Sequence, residues 1–181
     1  MSSGNVVSIQ RNRPLFETML VPTDGSALSI AAALKGIEFA RRLQVKVLAF
    51  QCIPSYRYPV YLGGIPFEYP SEADYELQCR TIADRYLDLI ANAAQERGVA
   101  SAKLIEFNSE PAHAIVETAQ RENCSMIFIG SHGRSGLSRV FLGSVAIKTL
   151  TLAHVPVIVD RPTAEGLAEA EKFMGQCAIE P

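Results

Sequence analysis

No run of apolar residues in this chain approaches the roughly 20 that a membrane-spanning helix requires. Met1 to Arg13 is polar, where a secretory signal would carry an apolar core. The expectation is a cytoplasmic protein with no membrane contact. Charge of one sign is also lacking: 17 Lys and Arg stand against 19 Asp and Glu, for a net charge of −2. That balance excludes the basic footprint of a nucleic-acid binder. The four cysteines, Cys52, Cys79, Cys124 and Cys177, are scattered with no C-x-x-C pair. They read as free thiols of a reducing compartment, not as a disulfide framework or a zinc site. His113, His132 and His154 have no metal-ligand spacing. The Walker string, the G-x-G-x-x-G fingerprint and the G-x-S-x-G elbow are all absent. Those absences remove three familiar routes to nucleotide or hydrolase chemistry.

What is present is globular. The chain is 48% hydrophobic and 20% charged, and its 181 residues suit one domain with a full core. We read 1–16 as an N-terminal tail, 17–160 as the domain and 161–181 as a C-terminal tail. In the latter, Leu167, Ala170, Phe173 and Met174 share a helical face that can dock. Within the domain two periods alternate. Glu17–Val21 is a buried strand ending at Pro22. Ile30, Ala33, Leu34 and Ile37 mark one face of a helix over Ala27–Leu43. Val45–Ile53 is a strand stopped by Pro54, and the prolines and glycines of 54–70 forbid a long helix there. From Ser71 to Arg97 the positions Tyr75, Cys79, Ile82, Tyr86, Leu89 and Ala93 keep helical spacing. Ala102–Phe107 is a strand, and Ser109 is a candidate cap for a helix that buries Ala112, Ile115, Val116 and Ala119. Ser125–Ile129, Ser144–Ala153 and Val155–Val159 complete a β-α-β-α-β-α-β-α-β order. Strands apolar on both sides, alternating with helices, imply an α/β protein with a parallel sheet covered on both faces. In such sheets a ligand lies outside the carboxyl ends of the strands.

The loop after Ile129 carries the most chemistry. It runs from Gly130-Ser131-His132-Gly133-Arg134 to Gly143-Ser144-Val145. Glycines let backbone N–H groups approach a phosphate, and the helix beginning at Ser144 adds unsatisfied amides at the positive end of its dipole. The hydroxyls of Ser131 and Ser144 can donate to phosphate oxygens. From Asn123 to Val159 there is no Asp or Glu, where the chain's average of 19 in 181 would place about four. Arg134, Arg139 and Lys148 lie in the same span. A plain glycine-rich turn remains the structural alternative. In the first loop, Pro22-Thr23-Asp24-Gly25-Ser26, a carboxylate can meet ribose hydroxyls or a phosphate-bound Mg²⁺, or Asp24 and Ser26 can simply cap the helix.

Together the spacing Gly130-x2-Gly133-x9-Gly143-Ser144 and the opening Val-Pro-Thr-Asp-Gly-Ser resemble the nucleotide-binding branch of the universal stress proteins, over roughly 17–160. The resemblance implies an open, Rossmann-like five-stranded parallel sheet in the order 3-2-1-4-5. It also implies ATP or AMP binding and a homodimer pairing through Val155–Val159; a Mg²⁺ can accompany the nucleotide through its phosphates. By that resemblance Pro22, Thr23 and Asp24 lie beside the adenosine, and Cys52 holds adenine through its backbone. Ile129 and Gly130 flank the ribose. Ser131, His132, Gly133, Arg134, Gly143, Ser144 and Val145 surround the phosphates. The chain departs from the pattern at Ser109-Glu110-Pro111 and in having a cysteine at 52. The tyrosines and phenylalanine of 54–70 suit a lid over the base or an ordinary surface loop. Three functions compete: a dimeric nucleotide sensor, a slow ATPase or self-phosphorylating enzyme using Asp24 with Ser131, Ser138 or Ser144, and a nucleotide-free dimerisation scaffold.

Overall fold

In the computed structural model, which describes residues 16–57, 70–133 and 142–176, strands and helices alternate as the two periods require. The elements are β1 (Thr18–Thr23), α1 (Ala27–Leu43), β2 (Lys46–Ile53), α2 (Glu72–Glu96), β3 (Ser101–Phe107), α3 (Pro111–Arg121), β4 (Met126–Gly130), α4 (Ser144–Leu152), β5 (Val157–Asp160) and α5 (Ala164–Gln176). Residues 1–15, the aromatic part of the insert at 58–69, Arg134 with 135–141, and 177–181 lie outside the described residues. So do the expectations placed on them.

The five strands form one parallel sheet in the order β3-β2-β1-β4-β5. The period of two along each strand divides the core into two layers. Met19, Val21, Val47 and Ala49 point to the side covered by α1, α2 and α5, while Leu20, Leu48, Phe50 and Ile127 point to the side covered by α3 and α4. On α1 the expected stripe Ile30, Ala33, Leu34 and Ile37 is buried throughout. Ser26 caps this helix, its Oγ accepting from Ser29 N at 3.2 Å. Residues 164–176, read as part of a tail, form α5. Its Ala170 is fully buried, and Phe173 and Met174 pack on the α1 side of the core.

Three local expectations change. Pro22 does not end β1, which continues to Thr23. Pro22 is registered with Phe50 of β2, while the β1–β4 ladder stops at Leu20↔Ile127, so its missing N–H interrupts no bond on that side. Ser109 is not the cap of α3. Glu110 occupies that position without a side-chain cap bond, and Asn108 Oδ1 accepts from Glu110 N at 2.9 Å. On α2 the expected run is buried only at its C-terminal members Leu89 and Ala93, which Ala83, Leu87, Ile90 and Ala94 join, while its N-terminal members are not core and Ile82 is 47% exposed. The helix starts at the carboxyl edge of the sheet, so its first turns overhang that edge instead of covering the core.

The early end of the β1–β4 ladder positions everything that follows. The chain builds β2 and β3 on one side of β1, then returns to place β4 and β5 on the other. β1 is therefore the strand at which the order reverses. There β1 stays paired to β2 as far as Thr23↔Gln51, while Phe128 to Gly130 of β4 pair with β5. The tips of β1 and β4 part, and a crevice opens between them.

Candidate functional site

That crevice is a cleft of about 600 Å³, within the range that small-molecule sites occupy. Its walls include Pro22, Thr23 and Asp24 from β1 and its loop, and Cys52 from β2. Ile129, Gly130, Ser131, His132 and Gly133 come from β4 and the following turn, and Gly143, Ser144 and Val145 from the start of α4. Every candidate site residue that the structure describes is thus brought to one place. Arg134 lies outside the described residues.

The first loop makes the capping contacts that its sequence allowed. Asp24 Oδ1 accepts from Ser26 N at 3.0 Å and from Ser26 Oγ at 2.7 Å, which anchors the entry to α1. Thr23 Oγ1 sits 2.8 Å from Ser29 Oγ and accepts from Gly25 N at 3.1 Å. The other Asp24 oxygen lies where a Cβ on Gly133 would be, so glycine at 133 is what lets the two loops close on each other.

The two described ends of the second loop are fixed by backbone bonds. Ser131 N donates to Asp160 O at 2.7 Å, and Gly143 N donates to Ser131 O at 2.8 Å. These two bonds fasten the start of the turn to the end of β5 and the start of α4 to the turn. The amides of His132 and Gly133, and of Ser144, Val145 and Ala146 in the first turn of α4, have no partner among the described residues. Ser144 is exposed at the mouth. Ser131, expected to offer its hydroxyl, is buried, with its Oγ 3.1 Å from His132 Nδ1. His132 Nε2 is buried without a partner among the described residues. Lys148, one of the expected cations, stands on α4 with its Nζ 3.6 Å from Glu110 Oε2.

The rest of the cleft is apolar, and the sequence did not flag most of it. Phe50, Ile53, Pro54, Tyr75, Cys79, Ile82, Pro111 and Ile115 complete the wall, with Gln51 buried among them. The helical stripe Tyr75-Cys79-Ile82 was the available signal. It marks a wall of the cleft, not core. Tyr75 is fixed by its hydroxyl donating to Pro54 O at 2.8 Å and by ring contact with Tyr56 at 5.5 Å.

Burial, reinforced by the charge of Glu106, pushes the Cys52 thiol up to about 11. Burial with Glu122 does the same to Cys124. Both thiols should therefore resist alkylation by iodoacetamide at pH 8, where roughly one in a thousand is thiolate. Labelling should rise as pH climbs toward 11. Peptide mapping after timed labelling checks this, and rapid modification of either residue at pH 8 in the folded protein would contradict it.

The comparisons with known proteins agree with this geometry. The model of the universal stress protein family matches residues 15–161. The universal stress protein MJ0531 of Methanocaldococcus jannaschii is 31% identical over 157 residues, covering 83% of this chain and 85% of the relative. YxiE of Bacillus subtilis is 30% identical over 151 residues, covering 81% of this chain and all of the relative. A solved structure from the same family, from Burkholderia pseudomallei, superposes with a TM-score of 0.64 at 21% identity, covering 84% of this chain and all of that one. The parted strand tips, the glycine-bearing turn and the family match over the whole sheet lead to one conclusion: this chain belongs to the universal stress protein family.

Proposed function

We propose that the chain binds an adenine nucleotide, ATP or AMP, in this cleft, and acts in the cytoplasm as a dimeric sensor whose occupancy changes what it contacts. The observation that carries the reading is the set of five amides without partners among the described residues, two in the 131–133 turn and three opening α4, gathered at one end of an otherwise apolar cleft. A phosphate group satisfies such amides and gains from the helix dipole behind them. An aromatic base suits the opposite end, under Tyr75 and Ile82 and over the backbone of Cys52. Ile129 and Gly130 then meet the sugar. Asp24 is the one acidic residue among the described lining residues, so a Mg²⁺ would arrive on the phosphates and be steadied from that side. Two related structures support an adenine-bearing ligand. A universal stress protein has been solved with cAMP (TM-score 0.58, 18% identity), and one from Archaeoglobus fulgidus with dAMP (TM-score 0.54, 21% identity).

Titration calorimetry with ATP, AMP and GTP tests the reading. We expect micromolar dissociation constants for the adenine nucleotides, about −8 kcal/mol. No adenine-nucleotide binding tighter than about millimolar would overturn it. Phosphate release followed in the same samples, with Asp24→Ala alongside, separates binding from hydrolysis. A rate that falls with the aspartate is enzymatic.

A further inference from the structure

Four buried side-chain polar atoms lack a hydrogen-bond partner among the described residues: Gln51 Oε1, His132 Nε2, Thr149 Oγ1 and Asp160 Oδ2. Thr149 and Asp160 do not line the cleft, and His132 belongs to the turn already described. Gln51 stands apart. It is only 5% exposed and it lines the cleft, on β2 beside Cys52. Its place on β2 is registered with Thr23 on one side and Ile105 on the other. Ile105 offers no polar side chain. The Thr23 hydroxyl is engaged by Ser29 Oγ at 2.8 Å and Gly25 N at 3.1 Å. The sheet therefore supplies nothing for this carboxamide to bind. An unpaired buried acceptor is a standing penalty comparable to a lost hydrogen bond, and a leucine of similar volume would avoid it.

We propose that Gln51 is the specificity-determining residue for the base, its carboxamide pairing with the edge of a purine that carries an amino group beside a ring nitrogen acceptor. The inference rests on the adenine-nucleotide reading. On that edge of adenine the 6-amino group donates and N7 accepts, which matches a carboxamide oxygen and NH₂ side by side. A 6-oxo purine presents two acceptors there. Whichever way the carboxamide is turned, its oxygen then faces another oxygen or a ring nitrogen. Discrimination therefore needs no fixed orientation of the amide, only that it is buried and has nothing else to bind. The backbone of Cys52 next to it can hold a flat base in place, and Gln51 adds a side chain, unpartnered among the described residues, that distinguishes amino from oxo.

The test is to titrate ATP and inosine triphosphate into the wild-type protein, Gln51→Leu and Gln51→Met, and to melt each protein without ligand. Wild type should prefer ATP over inosine triphosphate by about tenfold. In both variants ATP should weaken by about tenfold and the preference should fall toward one, with inosine triphosphate little changed. Ligand-free melting temperatures should stay level or rise, because an unpaired buried polar group has been removed. A structural role for Gln51 predicts the reverse, a lower melting temperature with the preference intact. That result, or a preference unchanged within twofold in both variants, overturns the assignment while leaving nucleotide binding standing. Wild-type protein that binds neither nucleotide overturns the adenine-nucleotide reading and this inference with it.

Discussion

Gly143→Val should abolish the protection that ATP gives against thermal unfolding, while the ligand-free protein melts within a few degrees of wild type. Gly143 has φ −62° and ψ 149°, which any residue adopts, so the position does not demand glycine for its backbone angles. The demand comes from close approach. A Cβ there would stand 3.2 Å from Ser131 O and 3.5 Å from His132 Cα, so a branched side chain pushes the 131–133 turn and the start of α4 apart and spoils the setting of their amides. A ligand present at a hundred times its dissociation constant stabilises the folded chain by about 2.7 kcal/mol. For a protein of this size that is a shift of about 5–10 °C. Wild type should show that shift, and the valine variant less than about 1 °C. Gly175→Ala is the control: nothing lies within 4 Å of its Cβ, and ligand protection should be untouched. Protection retained in Gly143→Val would mean that the phosphates, if bound at all, sit elsewhere.

The end of this cleft where we place the phosphates was legible in the sequence because the chemistry proposed there is carried by residues with no side chain. Glycines at 130, 133 and 143 leave a pattern in one dimension that survives into three. The strands and the faces of α1 and α3 were legible for a related reason, since period and burial coincide where an element lies wholly against the sheet. α2 shows where that coincidence ends. Tyr75, Cys79 and Ile82 keep helical spacing, yet they belong to the part of the helix that overhangs the sheet edge, and there an apolar stripe faces the cleft. Spacing says which residues share a face, not what that face meets. Pro22 misled for the opposite reason. Proline breaks a ladder only where the neighbouring strand is present to pair, and β4 has already parted from β1 at that level. Gln51 left no signal at all. A single polar residue near a strand end reads as the end of burial, and only the engaged hydroxyl of Thr23 reveals it as a buried group without a partner.

The second large effect concerns the free edge of the sheet. β5 pairs with β4 and with no other described strand. The carbonyls of Pro156 and Asp160 accept from Ile127 N at 2.9 Å and Ser131 N at 2.7 Å. Backbone groups alternate in direction along a parallel strand, so Ile158 also turns toward β4, and Val157 and Val159 present their N–H and C=O outward. Beside that edge Ile147 and Leu150 of α4 are 49% and 42% exposed, and Val155, Val157 and Val159 are only partly buried. An unpaired edge flanked by apolar side chains is suited to a second copy of itself. Wild type should therefore sediment as a dimer at micromolar concentration. Val159→Pro removes one outward N–H and leaves the β4 ladder intact, a substitution that edge strands accept. It should raise the dimer dissociation constant at least about a hundredfold, roughly 2.8 kcal/mol, without loss of helical circular dichroism. Leu150→Glu, on the exposed flank, should weaken the dimer in the same direction without touching the strand. Ser131 N is fastened to the last residue of this strand, so a monomeric variant should also bind nucleotide more weakly than the dimer does. A dimer that survives both substitutions would place the interface on another face and leave the edge of β5 without a role in assembly.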